Sequence, residues 1–448
     1  MEEKSQLLIE ISNSIWEFAE IALLEHKSAE LLADTLEKEG FRVNRGVAGM
    51  PTAFVASFGS GTPIIGILAE YDALPGLSQE NLPYKKALVE GEAGHGCGHN
   101  LFAGGSLGAA LAVKGVIQKY KLKGTIRLYG CPAEEDMGGK LYMARDGLFD
   151  DLDACLAWHP DYQTRVDVKG TQAIDDMEIE FFGKASHAAF DPWKGVSALD
   201  AVEMTSFGIN LLREHVKPSV RMHYVITQGG KVPNIVPENA RLWLWVRDSD
   251  REGVKAVVKR VEKIVEGAAM ATGTTSKIHY KGSYHEMHVN LTGSGVMQKN
   301  LEMIGPVEYT AEETAYAKRI QGETGTEEKG LLCEIKELDK PVKDPEGGST
   351  DVAEVSWITP TLHISTTCTP FGIPWHSWAV VASSRHSIGH KGMLLAAKVM
   401  ATTAIDFLQD ESLLIEMKKE FKDKLKGYTY KSGIPPDQKP PLRVKKTR

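Results

Sequence analysis

The sequence predicts an α/β protein: a domain on a mostly parallel sheet, with a smaller ferredoxin-like (βαββαβ) unit inserted in it. Three observations predict this. Strands alternate with helices over residues 1–160, the pattern of parallel strands joined by crossover helices. From about Gly170 the order becomes β-α-β-β-α-β, the ferredoxin-like arrangement. After about Asn290 helix and loop resume, so the first domain closes around the insertion. The expected boundaries are 1–172 and 286–448 for the larger, discontinuous domain and 173–285 for the inserted one.

Residues 5–40 read as helix, with Leu7, Leu8, Ile11, Ile15 and Phe18 at helical spacing and Gly40 as the stop. Residues 52–57 and 63–68 read as strands, set apart by Gly59, Gly61 and Pro63. Residues 106–120 are apolar and helical. Residues 124–130 form a strand ending at Cys131-Pro132, 142–146 a helix stopped by Gly147, and 154–157 a strand ending at Trp158-His159-Pro160. In the insertion, 176–182, 221–227, 240–247 and 276–280 read as strands, and 197–215 and 254–270 as helices. The first of these helices has an apolar stripe at Leu199, Val202, Phe207 and Leu211. Either strand 176–182 or helix 197–215 is expected to form a dimer face, because Leu211, Leu212 and Val216 would otherwise be partly exposed. Residues 334–350 read as an exposed loop, 392–408 as a strong helix, and the Pro- and Lys-rich tail from Gly427 as extended over the surface or disordered.

Composition narrows the function. The chain has 448 residues, a net charge of −8 and 25% charged residues, which gives no support for a nucleic-acid partner. Its five cysteines (Cys97, Cys131, Cys155, Cys333, Cys368) are odd in number and scattered, unlike a disulfide framework. The acidic, amphipathic N-terminus has neither the basic nor the apolar region of a secretory signal. No run approaches the roughly 18 apolar residues of a membrane span, so no membrane partner and a cytoplasmic location are expected.

Chemistry concentrates after the strands. In Gly94–Asn100 (GHGCGHN), glycines let a tight loop aim Cys97 and His99 at one point, with His95 alongside. Thiolate and imidazole suit zinc and its neighbours. Glu70 and Asp72 follow one strand, Glu134 and Glu135 a second, and His159 a third; His376 lies between Pro374 and Trp378. Ligand sites in open α/β sheets collect at such carboxyl ends. Singly, each has a plain alternative: a Glu-Glu pair is usually a solvated face, and a lone histidine usually a surface or capping residue. Jointly they supply what a dinuclear hydrolase needs, several ligands per metal and a base for water. A zinc deaminase would need a Pro-Cys-x-x-Cys pair, and Cys131-Pro132 lacks the second thiol.

Through AEYDALPGLSQ (69–79), GHGCGHN (94–100), CPAEEDMGGK (131–140), GKASHAAFDPWKGVSALDAVE (183–203), LREHV (212–216), GGKVPNIVPENA (229–240), GGSTDVAEVSW (347–357) and PWHSW (374–378), the chain resembles a known family. That family is the amidohydrolase branch of the aminoacylase and glutamate-carboxypeptidase superfamily of dinuclear metallopeptidases. The resemblance implies two divalent metal ions, manganese or zinc, held by Cys97, His99, Glu135, His159 and His376. It implies that Glu134 is the general base and that Asp72 orients a metal ligand. His187 would stabilise the oxyanion, in some relatives from the partner subunit, and Asn234 and Arg247 would contact the substrate carboxylate. Arg213, Arg221 and Lys231 are candidates to read a glutamate side chain or are surface charges. The inserted unit becomes a lid and dimerisation domain, in a homodimer or a heterodimer with a sister subunit. The expected reaction is hydrolysis of an amide between an acyl or aroyl group and an amino acid, with p-aminobenzoyl-glutamate the leading substrate. A dipeptidase or N-acyl-amino-acid deacylase is the alternative within the family, and a non-catalytic partner subunit the alternative outside it. Three departures stand out. Glu70 replaces a histidine ligand of the wider superfamily, the segment from Cys97 to His99 replaces an acidic bridging ligand, and Asn100 replaces an aspartate common in the branch.

Overall fold

The structure is a computed structural model that describes residues 2–136, 138–342, 344–345 and 348–443. In chain order the first elements are α1 (Ser5–Phe18), α2 (His26–Lys38), β1 (Arg42–Arg45), β2 (Phe54–Ser60), β3 (Ile64–Glu70), α3 (His99–Tyr120), β4 (Gly124–Cys131), α4 (Gly139–Arg145), β5 (Ala154–Asp161) and β6 (Arg165–Val166). Next come β7 (Ala173–Phe182), α5 (Ala198–Leu212), β8 (Arg221–Gln228), β9 (Asn239–Asp248), α6 (Arg251–Thr272) and β10 (Thr275–Tyr284). The chain ends with α7 (Leu291–Ile304), α8 (Ala311–Thr324), α9 (Val352–Ser356), β11 (Thr361–Thr367), α10 (Trp378–Arg385), α11 (Ser387–Gln409) and α12 (Glu411–Leu425).

The larger sheet has the order β1-β2-β4-β3-β5-β11-β6. Its middle four strands run parallel, while β1, β2 and β6 join antiparallel. The sheet is therefore mixed, less parallel than the sequence suggests. The reason is connection length: β1 and β2 are joined by a short local turn, whereas parallel neighbours need a crossover such as α3 or α4. The second sheet is wholly antiparallel, with order β10-β7-β9-β8. It has its own core, in which Met177, Ile179 and Leu242 meet Val202, Ile209 and Val261 of α5 and α6.

Several expectations need correction. Residues 5–40 are two helices, because the chain turns at Ala19 and Leu23, both with positive φ. The Glu20 carboxylate accepts from Lys27 N–H, Ser28 N–H and the Ser28 hydroxyl, and so starts α2 afresh. On α5 the buried face is Ala198, Ala201, Val202, Ile209 and Leu212, while Phe207 and Leu211 are exposed. The helix is apolar on more than one side, so spacing alone chooses the wrong stripe. Leu212 is thus core, not interface, and strand β7 lies between β10 and β9 with no free edge to offer a partner. Helix α3 is long and apolar enough to cross a membrane, but it is mostly buried inside the protein as a core helix. The tail runs as turns and irregular backbone as far as Arg443, with Ile434 buried; residues 444–448 lie outside the described residues.

Candidate metal centre

β3, β4 and β5 are parallel neighbours, so their carboxyl ends share one edge. Glu70 ends β3 opposite Cys131 at the end of β4, and the turn after β4 delivers Glu134 and Glu135. His159 lies near the end of β5. Gly98, with φ +74°, caps the start of α3 and sets Cys97 and His99 on the same edge. His376, before α10, completes the ring with φ +53°, and Ala133 has φ +60°. Left-handed backbone at two non-glycine residues is strain of the kind that functional sites hold.

Two imidazoles are oriented from behind. His99 Nδ1 lies 2.8 Å from Asp72 Oδ1, and His159 Nδ1 lies 2.7 Å from the Pro160 carbonyl. Each acceptor fixes the proton on Nδ1, which leaves the Nε2 lone pair facing the site. His99 Nε2 is buried without a hydrogen-bond partner, as is Glu135 Oε1. Asp72 also accepts from Glu135 N–H through its other oxygen at 2.9 Å.

The side chains fall into groups whose ligand atoms lie within 4.8 Å of one another: Cys97, His99 and His159; Cys97, Glu135 and His376; and Glu70, His99 and Glu134. Cys97 is common to the first two. Cys97 Sγ is 3.4 Å from His159 Nε2, and Glu135 Oε2 is 3.5 Å from His376 Nε2. Two ligands bound at about 2.0–2.3 Å to one tetrahedral ion stand about that far apart. The charges ask for cations as well. The carboxylates of Glu70, Asp72, Glu134, Glu135 and Asp351 lie close together, and the Lys140 ammonium pairs directly with two of them, Glu70 and Asp351. Burial, with Glu70, Glu135 and Asp351 nearby, holds the Glu134 carboxyl well above its usual range. Burial, with Glu135 nearby, pushes the Cys97 thiol up, and burial with His99 nearby lowers His159 to about 3. Orphaned lone pairs, an excess of buried negative charge and a soft-and-hard donor set fit divalent metal ions.

Seven of the expected residues therefore meet: Asp72, Cys97, His99, Glu134, Glu135, His159 and His376. Three do not. His187 is exposed on the second unit, where its Nδ1 accepts from Ala189 N–H and Phe190 N–H, leaving the proton on Nε2. Asn234 is exposed and its carbonyl accepts from Ala188 N–H, next to His187. Arg247 on β9 lies over the Trp245 ring, and its Nε is buried without a partner. Arg213, Arg221 and Lys231 are exposed; Arg213 bonds Asn210, and Arg221 bonds the carbonyls of Pro218 and Val220. His95 bonds the Ile15 carbonyl, and Asn100 bonds Ser12 and Ser384.

Sequence reasoning missed Lys140, Asp351 and Glu25. The first two stand inside motifs already singled out, CPAEEDMGGK and GGSTDVAEVSW. Glu25 is buried and accepts from Ala133 N–H at 2.9 Å, bracing the strained turn before Glu134. Burial and the charge of Asp72 raise its carboxyl to about 8.

A family model described as Peptidase family M20/M25/M40 matches residues 66–368. The chain is 38% identical to a p-aminobenzoyl-glutamate hydrolase subunit of Escherichia coli (strain K12), over 99% of this chain and 98% of that protein. It is 29% identical to the Xaa-Arg dipeptidase of Homo sapiens, over 97% of this chain and 93% of that one. In fold it resembles a dinuclear metal binding peptidase of Bacillus subtilis, with TM-score 0.58 and 20% identity over 90% of this chain and all of that chain. A family match over two thirds of the chain and a relative aligned along nearly all of it lead to one conclusion: the chain belongs to Peptidase family M20/M25/M40.

Proposed function

We propose that this chain is a metal-dependent amidohydrolase that cleaves p-aminobenzoyl-glutamate to p-aminobenzoate and glutamate. The observation that carries the reading is two ligand groups sharing Cys97, set beside Glu134, in a chain 38% identical to a subunit of a named hydrolase of that amide. Cys97, His99 and His159 would hold one divalent ion, and Cys97, Glu135 and His376 a second, manganese or zinc. Such a pair, when bound, polarises the amide carbonyl and acidifies water.

The chain's own residues do the rest. Glu134 makes no hydrogen bond among the described residues, so its carboxylate is free to take a proton from water. The same carboxyl would then return the proton to the leaving amine. Asp72 holds His99 and the Glu135 backbone at once. His187 has its Nε2 proton available for the oxyanion, and closure of the second unit as a lid would bring it in and exclude water. Arg247, half-buried with its Nε unpartnered, and Asn234 would take the substrate carboxylate. The exposed apolar residues of α5 and edge strand β8 (Met204, Phe207, Leu211, Val225, Ile226) favour a second subunit on that face. Five free thiols suit a reducing compartment such as the cytoplasm.

The test is release of p-aminobenzoate by the purified, metal-stripped chain after manganese or zinc is returned. We expect metal-dependent turnover, and Glu134→Ala to keep its metal while losing at least about a hundredfold in kcat. Near-normal turnover in that variant would remove Glu134 as base. Cleavage only of dipeptides or N-acyl amino acids would move the chain to the alternative substrates. Light scattering on the same sample reads the assembly, and a monomer would remove the dimer.

A further inference from the structure

The third group, Glu70 with His99 and Glu134, shares His99 Nε2 with the first and so is no separate metal site, and its Glu70 already holds a cation. The Lys140 ammonium is fully buried, 2.6 Å from Glu70 Oε1 and 2.6 Å from Asp351 Oδ1. Asp351 grips the same residue a second time, since its Oδ2 accepts from Lys140 N–H at 2.9 Å. One ammonium thus ties the end of β3, the start of α4 and the start of α9. Glu70 is thereby fixed with its other oxygen 3.2 Å from His99 Nε2.

A buried lysine is costly unless its carboxylate partners are well placed. Here it does what a mobile ion would not. A divalent ion between Glu70 and Asp351 in place of the ammonium would draw in Glu134, whose carboxylate lies within 4.8 Å of Glu70, and occupy its lone pairs. The ammonium bonds Glu70 and Asp351 and not Glu134, whose lone pairs stay free. We propose that Lys140 is a positioning residue acting as a built-in cation: it fills the place between Glu70 and Asp351 that a divalent ion would take, and so keeps such an ion off Glu70 and Glu134. The consequence for turnover rests on the reading of Glu134 as base; the consequence for metal binding does not.

The test compares the full chain with Lys140→Met, which removes the charge and keeps most of the volume. Each is loaded with excess manganese, freed of unbound ion by gel filtration, and its manganese is counted by mass spectrometry. We expect one more manganese per chain in Lys140→Met than in wild type, and a return to the wild-type count in Glu70→Gln/Lys140→Met. We also expect kcat on p-aminobenzoyl-glutamate to fall at least tenfold in Lys140→Met, with KM within threefold. Equal manganese counts in wild type and Lys140→Met would overturn the proposal. If the wild type does not turn over this substrate, the functional reading fails, and the counts still decide the role of Lys140. If Lys140→Met does not fold, Glu70→Gln alone serves: the proposal expects the wild-type manganese count and a tenfold lower kcat, and an unchanged kcat overturns it.

Discussion

At the scale of single residues, Asp72 has the widest reach. Its two oxygens serve both ligand groups, one fixing the His99 tautomer and the other fixing the Glu135 backbone. Loss of such a supporting carboxylate typically costs about 10–100-fold in metal affinity. Asp72→Ala is therefore expected to lose manganese to a chelator at about 10–100-fold lower chelator concentration than wild type. Unchanged retention would show that His99 is oriented without it. The residues legible in sequence were those whose chemistry is rare whatever surrounds them: a cysteine and histidines among glycines, and paired acids after strands. Lys140 and Glu25 were not legible, because a lysine or glutamate in a string reads as surface. Only packing shows that both are buried, at 0% exposure.

At the scale of elements, helix starts show how the chain satisfies its own backbone. The first N–H groups of α7 meet two side chains: Asn290 accepts from Gly293, and Glu420, reaching across from α12, accepts from Leu291 and Thr292. Burial alone would raise the Glu420 carboxyl, but Lys424 and these N–H groups outweigh it and hold it at about 2 instead of 4.5. A carboxylate whose folded value lies below its unfolded value stabilises the fold above the unfolded value and loses that contribution as pH falls through the folded one. Glu420→Gln is expected to cost about 1 kcal/mol near neutral pH. Its melting curve should converge on that of wild type as pH drops from about 5 towards 2. A gap that stays constant across that window would show that charge plays no part. Glu420 also marks the limit of local reading, since the N–H groups it accepts from lie more than a hundred residues away. For the same reason the core strands and amphipathic helices were legible, while the short edge strands β1 and β6 were not: two to four residues carry no period, and only their neighbours make them strands.

At the scale of the whole molecule, the two sheets are joined by two crossings of the chain, and the second is clamped by the tail. His285 directly follows β10, and its Nδ1 lies 2.8 Å from Glu354 Oε1. Tyr428 reaches His285 Nε2 at 3.2 Å, and Tyr430 bonds the other Glu354 oxygen. Further along, Ile434 is buried, and Gln438 bonds both Tyr142 of α4 and the Tyr280 carbonyl of β10. Arg443 then pairs with Asp136, next to Glu135. Proline and lysine make this segment read as a loose end, yet its tyrosines and Ile434 turn it into a strap across both units. Ending the chain after Lys426 strips the cover from a buried His-Glu pair and takes Ile434 out of the core. A core aliphatic side chain is worth about 1.5–3 kcal/mol when buried, and each kcal/mol shifts the melting point of a domain of 150–250 residues by about 2–4 °C. The truncated chain is therefore expected to melt at least about 3 °C lower by calorimetry. An unchanged melting point would mean that the strap rests on the two units without holding them, and that the junction at His285 is stable by its own contacts.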